Sequence, residues 1–113
     1  MMLTKVASCR RNIDLEKVIA QDANMSYEYA IDVIKGRFKL GEPTIAKNTE
    51  LAYEYAVNVI QGRFKLGESV IATDAKWAYL YARWVFKGRW ELGEQSIFKS
   101  KWANDYKQMF NIQ

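Results

Sequence analysis

Seven residues recur three times along this chain. Gly36-Arg37-Phe38-Lys39-Leu40-Gly41-Glu42 returns as Gly62-Arg63-Phe64-Lys65-Leu66-Gly67-Glu68 and again as Gly88-Arg89-Trp90-Glu91-Leu92-Gly93-Glu94. The starts at 36, 62 and 88 set a period of 26. A unit that short cannot bury its own apolar faces, so neighbouring copies must stack and share an interior. With 113 residues, half of them apolar and 14% aromatic, the chain has material for one modest core and is too apolar to be disordered.

Each unit divides into a longer and a shorter helix. Asp22, Asn48 and Asp74 stand at one phase, each ahead of an apolar-periodic run, and their oxygens suit helix N-caps. In the first unit Tyr27, Ala30, Ile31 and Ile34 form one helical stripe, and Met25, Tyr29 and Val33 a second. The spacing ends this helix at Gly36, read as the residue of positive φ. Glu42, supported by Pro43, then opens a helix of under two turns that ends near Lys47 and packs through Leu40 and Ile45. Small residues at Ala30, Ala56 and Ala82 are expected to let neighbouring helices approach.

The segment 1–22 reads as a degenerate N-terminal cap, in which Arg11, Glu16 and Ile19 fall at the phases of Arg37, Glu42 and Ile45. Units follow at 23–48, 49–74 and 75–100. At 101–113 the register slips: Trp102 and Tyr106 match Trp77 and Tyr81 at a spacing of 25, marking a C-terminal capping helix. The predicted architecture is all-α, a single domain forming a short right-handed helical-repeat solenoid of 26-residue helix–turn–helix units between two capping helices.

The unit resembles a tandem-repeat family of mostly uncharacterised bacteriophage and bacterial proteins, whose copies read roughly Tyr-Ala-x-x-Val-x-Lys-Gly-Arg-Phe/Trp-x-x-Gly-Glu and then x-x-Ile-Ala-x-Asp. Tyr29 to Glu42 with Ile45, Ala46 and Asn48 match it, as do the two later copies, over about residues 16 to 103. The resemblance implies a phage or prophage origin and carries over no catalytic residue. The 34-residue tetratricopeptide period does not fit.

Chemistry is sparse. There is no histidine, which removes the commonest general base and metal ligand, and Cys9 is the only cysteine, so neither an internal disulfide nor a thiolate cluster can form. A periodic glutamate series offers one environment three times, whereas acid–base work needs carboxylates whose environments differ. Gly36-x-x-x-x-Gly41 lacks the Lys-Ser/Thr of a phosphate loop. No catalytic residue, metal site or cofactor is expected, and the chain reads as non-enzymatic. Residues 1–11 lack an apolar core of signal-peptide length and no window approaches a membrane span. The expected location is the cytoplasm, that of the host if the protein is phage-encoded, with no membrane partner.

Two surfaces compete for function. Arg37, Arg63 and Arg89 would line one edge of the stack and grip phosphates, with Phe38, Phe64 and Trp90 beside them to stack bases, giving a nucleic-acid-binding protein. The opposing reading pairs each arginine with Glu42, Glu68 or Glu94 and uses the ring to plug the groove between units. A net charge of +4 is modest for a nucleic-acid binder. The tyrosine pairs 27/29, 53/55 and 79/81 point to different sides of their helices, and their hydroxyls are expected to serve locally or at a surface. The other surface is the third unit, which breaks the pattern. Leu80 replaces Glu28 and Glu54, Trp84 replaces Asp32 and Asn58, Arg83 replaces Ile31 and Val57, and Phe98 replaces Ala46 and Ala72. Unit charges run +1, −2 and +3, and all four tryptophans lie from residue 77 onward. Aromatic and arginine enrichment marks binding hot spots. Leu80, Arg83, Trp84 and Trp90 are therefore candidate anchors for a protein partner of host or phage origin. A homo-oligomer through the C-terminal aromatic residues, and burial against the slipped C-terminal helix, are the other uses open to them.

Overall fold

The computed structural model describes residues 12–113; Cys9 and Arg11 lie outside that range. All regular structure among the described residues is helical. α1 (Ile13–Ile19) is capped by Asn12 and followed by α2 (Ala23–Tyr29), which continues as a π-helical turn over Ala30–Ile34. A 3-10 turn, Lys39–Gly41, then runs into α3 (Glu42–Ile45). The same pair returns as α4 (Thr49–Tyr55, π turn Ala56–Ile60) with α5 (Lys65–Ile71), and as α6 (Ala75–Tyr81, π turn Ala82–Phe86) with α7 (Glu91–Phe98). α8 (Ala103–Met109) closes the chain. No helix among the described residues is long and apolar enough to cross a membrane.

The N-caps fall where the sequence places them. Asp22, Asn48 and Asp74 each accept from a backbone N–H in the first turn, at 2.9–3.3 Å. The helix ends differ from expectation. The left-handed residue is not the glycine but the one before it: Lys35, Gln61 and Lys87 have φ of 59°, 59° and 57°, and no glycine has positive φ. The π turn explains the displacement, because the N–H groups of both Lys35 and Gly36 converge on the carbonyl of Ala30, and the last turn closes one residue earlier. A side chain at positive φ costs about 1–2 kcal/mol, and the chain accepts this three times.

In the first copy Glu42 opens α3 as expected, with a 3-10 turn capped by Phe38 ahead of it. In the other two copies the shorter helix starts earlier, with Phe64 and Trp90 at the N-caps, so Glu68 and Glu94 lie one turn inside. Pro43 accounts for the 3-10 turn in the first copy alone, since it has no N–H to give the Lys39 carbonyl. Ser69 and Gln95 stand at that phase in the other copies, which are continuous α-helix.

Equivalent helices pack side by side, α2 on α4 and α4 on α6, with α3 against α5, in a body measuring 62 × 19 × 18 Å. The buried face of the longer helices is Ser26, Tyr29 and Ala30, then Ala52, Tyr55 and Ala56, then Ala78, Tyr81 and Ala82. Met25 and Ile31, read as stripe residues, are exposed, and Leu40, read as a packing residue, is half-exposed. Ala30, Ala56 and Ala82 are buried, but the closest approach lies elsewhere, at Gly41, Gly67 and Gly93. A methyl on Gly41 would lie 2.5 Å from Ser26 Oγ, one on Gly67 2.9 Å from Ala52 Cβ, and one on Gly93 2.7 Å from the Trp90 ring. Ser26 is tolerated in this dry seam because its hydroxyl donates to the Ile19 carbonyl at 3.0 Å.

Candidate functional site

The three repeated motifs build the joints between successive pairs. Arg37 donates through Nε to Glu42 Oε2 at 2.8 Å and through Nη2 to Oε1 at 2.9 Å, a two-pronged fork. Tyr55, one unit on, donates its hydroxyl to the same Oε2 at 2.7 Å and accepts from the Phe38 N–H at 2.8 Å. Arg63, Glu68, Tyr81 and Phe64 repeat the arrangement, as do Arg89, Glu94, Tyr106 and Trp90. In the N-terminal cap Tyr29 donates to Glu16 at 2.7 Å. Tyr106 keeps its role despite the missing residue before it, as the spacing of 25 requires. A hydroxyl bonded to a carboxylate contributes about 1.5–3 kcal/mol.

Charge follows geometry here. Burial by itself would raise the Glu42 and Glu68 carboxyls, but the arginine forks and then the tyrosine hydroxyls outweigh it and hold both below the usual range. At Glu94 the Arg89 fork dominates over burial, and the direction is the same. Burial first, and the adjacent carboxylate second, push Tyr55 and Tyr81 well up and Tyr106 up to about 12. Every joint is therefore an ion pair with a neutral phenol at neutral pH.

This decides what the arginine edge has to offer. Each guanidinium is half-exposed but already forked to a buried carboxylate, and Arg63 also lies 4.9 Å over the Phe86 ring. Phe38, Phe64 and Trp90, proposed as base-stacking rings, are buried to 0%, 1% and 3% exposure, packed edge-on or tilted against Tyr29, Tyr55 and Tyr81. They plug the joints and present no face to a base. Of each tyrosine pair, Tyr29, Tyr55 and Tyr81 give their hydroxyls to the joints, whereas Tyr27 accepts from Asn58 at the surface and Tyr79 accepts locally from Arg83. The sequence carried a signal for this that went unread: Tyr55 and Tyr81 lie 13 residues beyond Glu42 and Glu68, the same distance each time.

The third-unit candidates do not stay together. Trp90 belongs to the core, so it is no surface anchor. Leu80 is half-buried, whereas Arg83 and Trp84 are exposed, Trp84 by 53%. The Arg83 guanidinium lies 4.8 Å over the Trp84 ring and its Nη1 reaches the Tyr79 hydroxyl at 3.4 Å. Trp77 is turned inward, with its ring 5.3 Å from Tyr53. Trp84 also walls a groove of about 300 Å³ between the π turns of α4 and α6, with Val57, Gln61 and Gly62 opposite. The equivalent groove between α2 and α4 carries Ile31, Asn58 and Val59 and no tryptophan.

Scans of protein-family models, curated proteins and solved structures each return no match to this chain.

Proposed function

We propose that the chain is a non-enzymatic helical-repeat solenoid that acts by protein–protein contact, through the exposed face of α6, with Trp84 as anchor and Arg83 and Leu80 beside it. One observation carries the reading: Trp84 is an indole half in water, at the position where the earlier units put Asp32 and Asn58. Large aromatic residues in that setting are where binding energy concentrates. The family resemblance supports a phage accessory role that meets a host or phage protein in the cytoplasm. The alternative of nucleic-acid binding along Arg37, Arg63 and Arg89 has lost its stacking rings to the core, and its charges are matched.

The test is capture from the natural host with bound protein and nucleic acid both identified, repeated with Trp84→Glu. The variant is expected to keep its circular dichroism and melting behaviour and lose the partner. Unchanged capture overturns the assignment of the face, and salt-sensitive recovery of nucleic acid by both proteins would restore the alternative.

A further inference from the structure

Of the large apolar residues in the repeated seven, leucine alone is left unused by the fold. Phe38, Phe64 and Trp90 fill the joints, but Leu40, Leu66 and Leu92 are 50%, 55% and 56% exposed and stand outside the core. Other outward positions of the shorter helices have diverged, with Pro43, Ser69 and Gln95 at one phase and Lys47, Thr73 and Lys99 at another. Core packing does not explain a half-exposed leucine kept in all three copies, and exposed apolar residues that run together mark contact surfaces.

The fold sets these leucines in a row. Leu40 lies in the 3-10 turn ahead of α3, Leu66 in α5 and Leu92 in α7. α3 packs against α5, and Ser96 on α7 donates to the carbonyl of Ala72, the C-cap of α5. Equivalent residues on helices packed in this way recur about every 8–10 Å. The charges beside them lean one way. Across 39–47, 65–73 and 91–99 the exposed ones are Lys39, Lys47, Lys65 and Lys99 against Glu91.

We infer that this row docks an acidic amphipathic helix of a partner protein, one whose apolar residues recur at every seventh position. Seven residues of α-helix advance about 10.5 Å, close to the step between leucines, so each apolar residue of the partner meets the gap between two of them. Carboxylates flanking that stripe then face the lysines. Leucines give a base nothing to stack on, and a bilayer, though it accepts leucine beside lysine, has no use for a fixed step. Trp84 lies on the longer helices, so this surface is separate from the α6 face and does not rest on it.

The experiment is fluorescence anisotropy of the full chain with a labelled acidic peptide of about three heptads, carrying leucine at every seventh position between glutamates. Saturable binding is expected, and the same residues in scrambled order are expected to bind about tenfold more weakly. Leu66→Asp is expected to weaken the peptide about tenfold. Lys65→Glu, which changes only an exposed charge, is expected to weaken it about threefold, with melting unchanged in both variants. Trp84→Glu is expected to leave binding as it is. No binding, or equal binding of the scrambled peptide, overturns the acidic helix as occupant, and so does Leu66-dependent binding to phosphatidylglycerol vesicles in place of the peptide. Binding indifferent to both Leu66→Asp and Lys65→Glu overturns the row as its seat. Loss of binding in Trp84→Glu does the same, since it places the peptide on α6.

Discussion

Two regions of this molecule were built from the same repeat and have gone opposite ways. At the joints, Arg, Glu, Tyr, the aromatic plug and the bare glycine are the same or nearly so in three successive copies, down to fork distances of 2.8–2.9 Å. On the outer face of the longer helices hardly a position is shared: Asp32, Asn58 and Trp84 hold one phase, and Ile31, Val57 and Arg83 another. A buried carboxylate held by an arginine fork and a phenol tolerates no partial set, because removing a donor leaves it desolvated without that partner. An exposed position has no such obligation and is free to specialise. What the chain repeats at its joints holds it together, and what it varies lies on its outer face.

The sharpest way to break this comparison is Tyr81→Ala, which empties a buried ring site and strips a donor from Glu68. We expect a loss of about 3–5 kcal/mol by denaturant titration, against under about 0.5 kcal/mol for Trp84→Glu on the outer face. Next come the glycines, which look alike in sequence and differ in the fold. Gly67→Ala is expected to cost about 1–3 kcal/mol by driving a methyl into Ala52 and the Phe64 ring. Gly62→Ala, with open space around it, is expected to change stability by less than about 0.5 kcal/mol. Equal effects would mean that the seam is not where the longer and shorter helices of a unit touch most closely.

Acid tests the joints as a set. The carboxyls of Glu42, Glu68 and Glu94 are lower in the folded chain than the ordinary 4.5, so the unfolded chain binds protons first as pH falls. Their contribution is fully present above about pH 4.5 and is lost as pH drops through the folded values. The phenols run the other way, stabilising below pH 10 and progressively less above it. With no histidine in the chain, thermal melts between pH 5.5 and 9 are expected to be nearly flat. The smallest effect concerns a joint that is missing one bond. Thr44 donates to the Ala20 carbonyl and Ser96 to the Ala72 carbonyl, both at 2.7 Å, but Val70 stands between them in phase. Val70→Thr is expected to add a bond to the Ala46 carbonyl and raise stability by about 0.5–1 kcal/mol.

Much of the architecture could be read before any coordinates. The 26-residue period, the three N-cap residues and the slipped C-terminal helix all depend on chemistry within a few residues or on exact recurrence, and both are visible in one dimension. The Arg37–Glu42 pairing was legible for the same reason, as opposite charges recurring at one spacing. Other features were out of reach. Whether Lys35 or Gly36 takes the left-handed turn depends on a π turn that no propensity announces. Phe38 and Trp90 look as fit for a surface as for a plug until the neighbouring helix arrives.

The sequence alone determined that the chain must stack copies of itself, because units this short have nowhere else to put their apolar residues. Only the tertiary structure decided which copies of each residue type were consumed in stacking and which were left over. Exposure belongs to the packed whole: two tryptophans six residues apart, Trp84 and Trp90, are equally hydrophobic on paper, and one lies in the core while the other faces water.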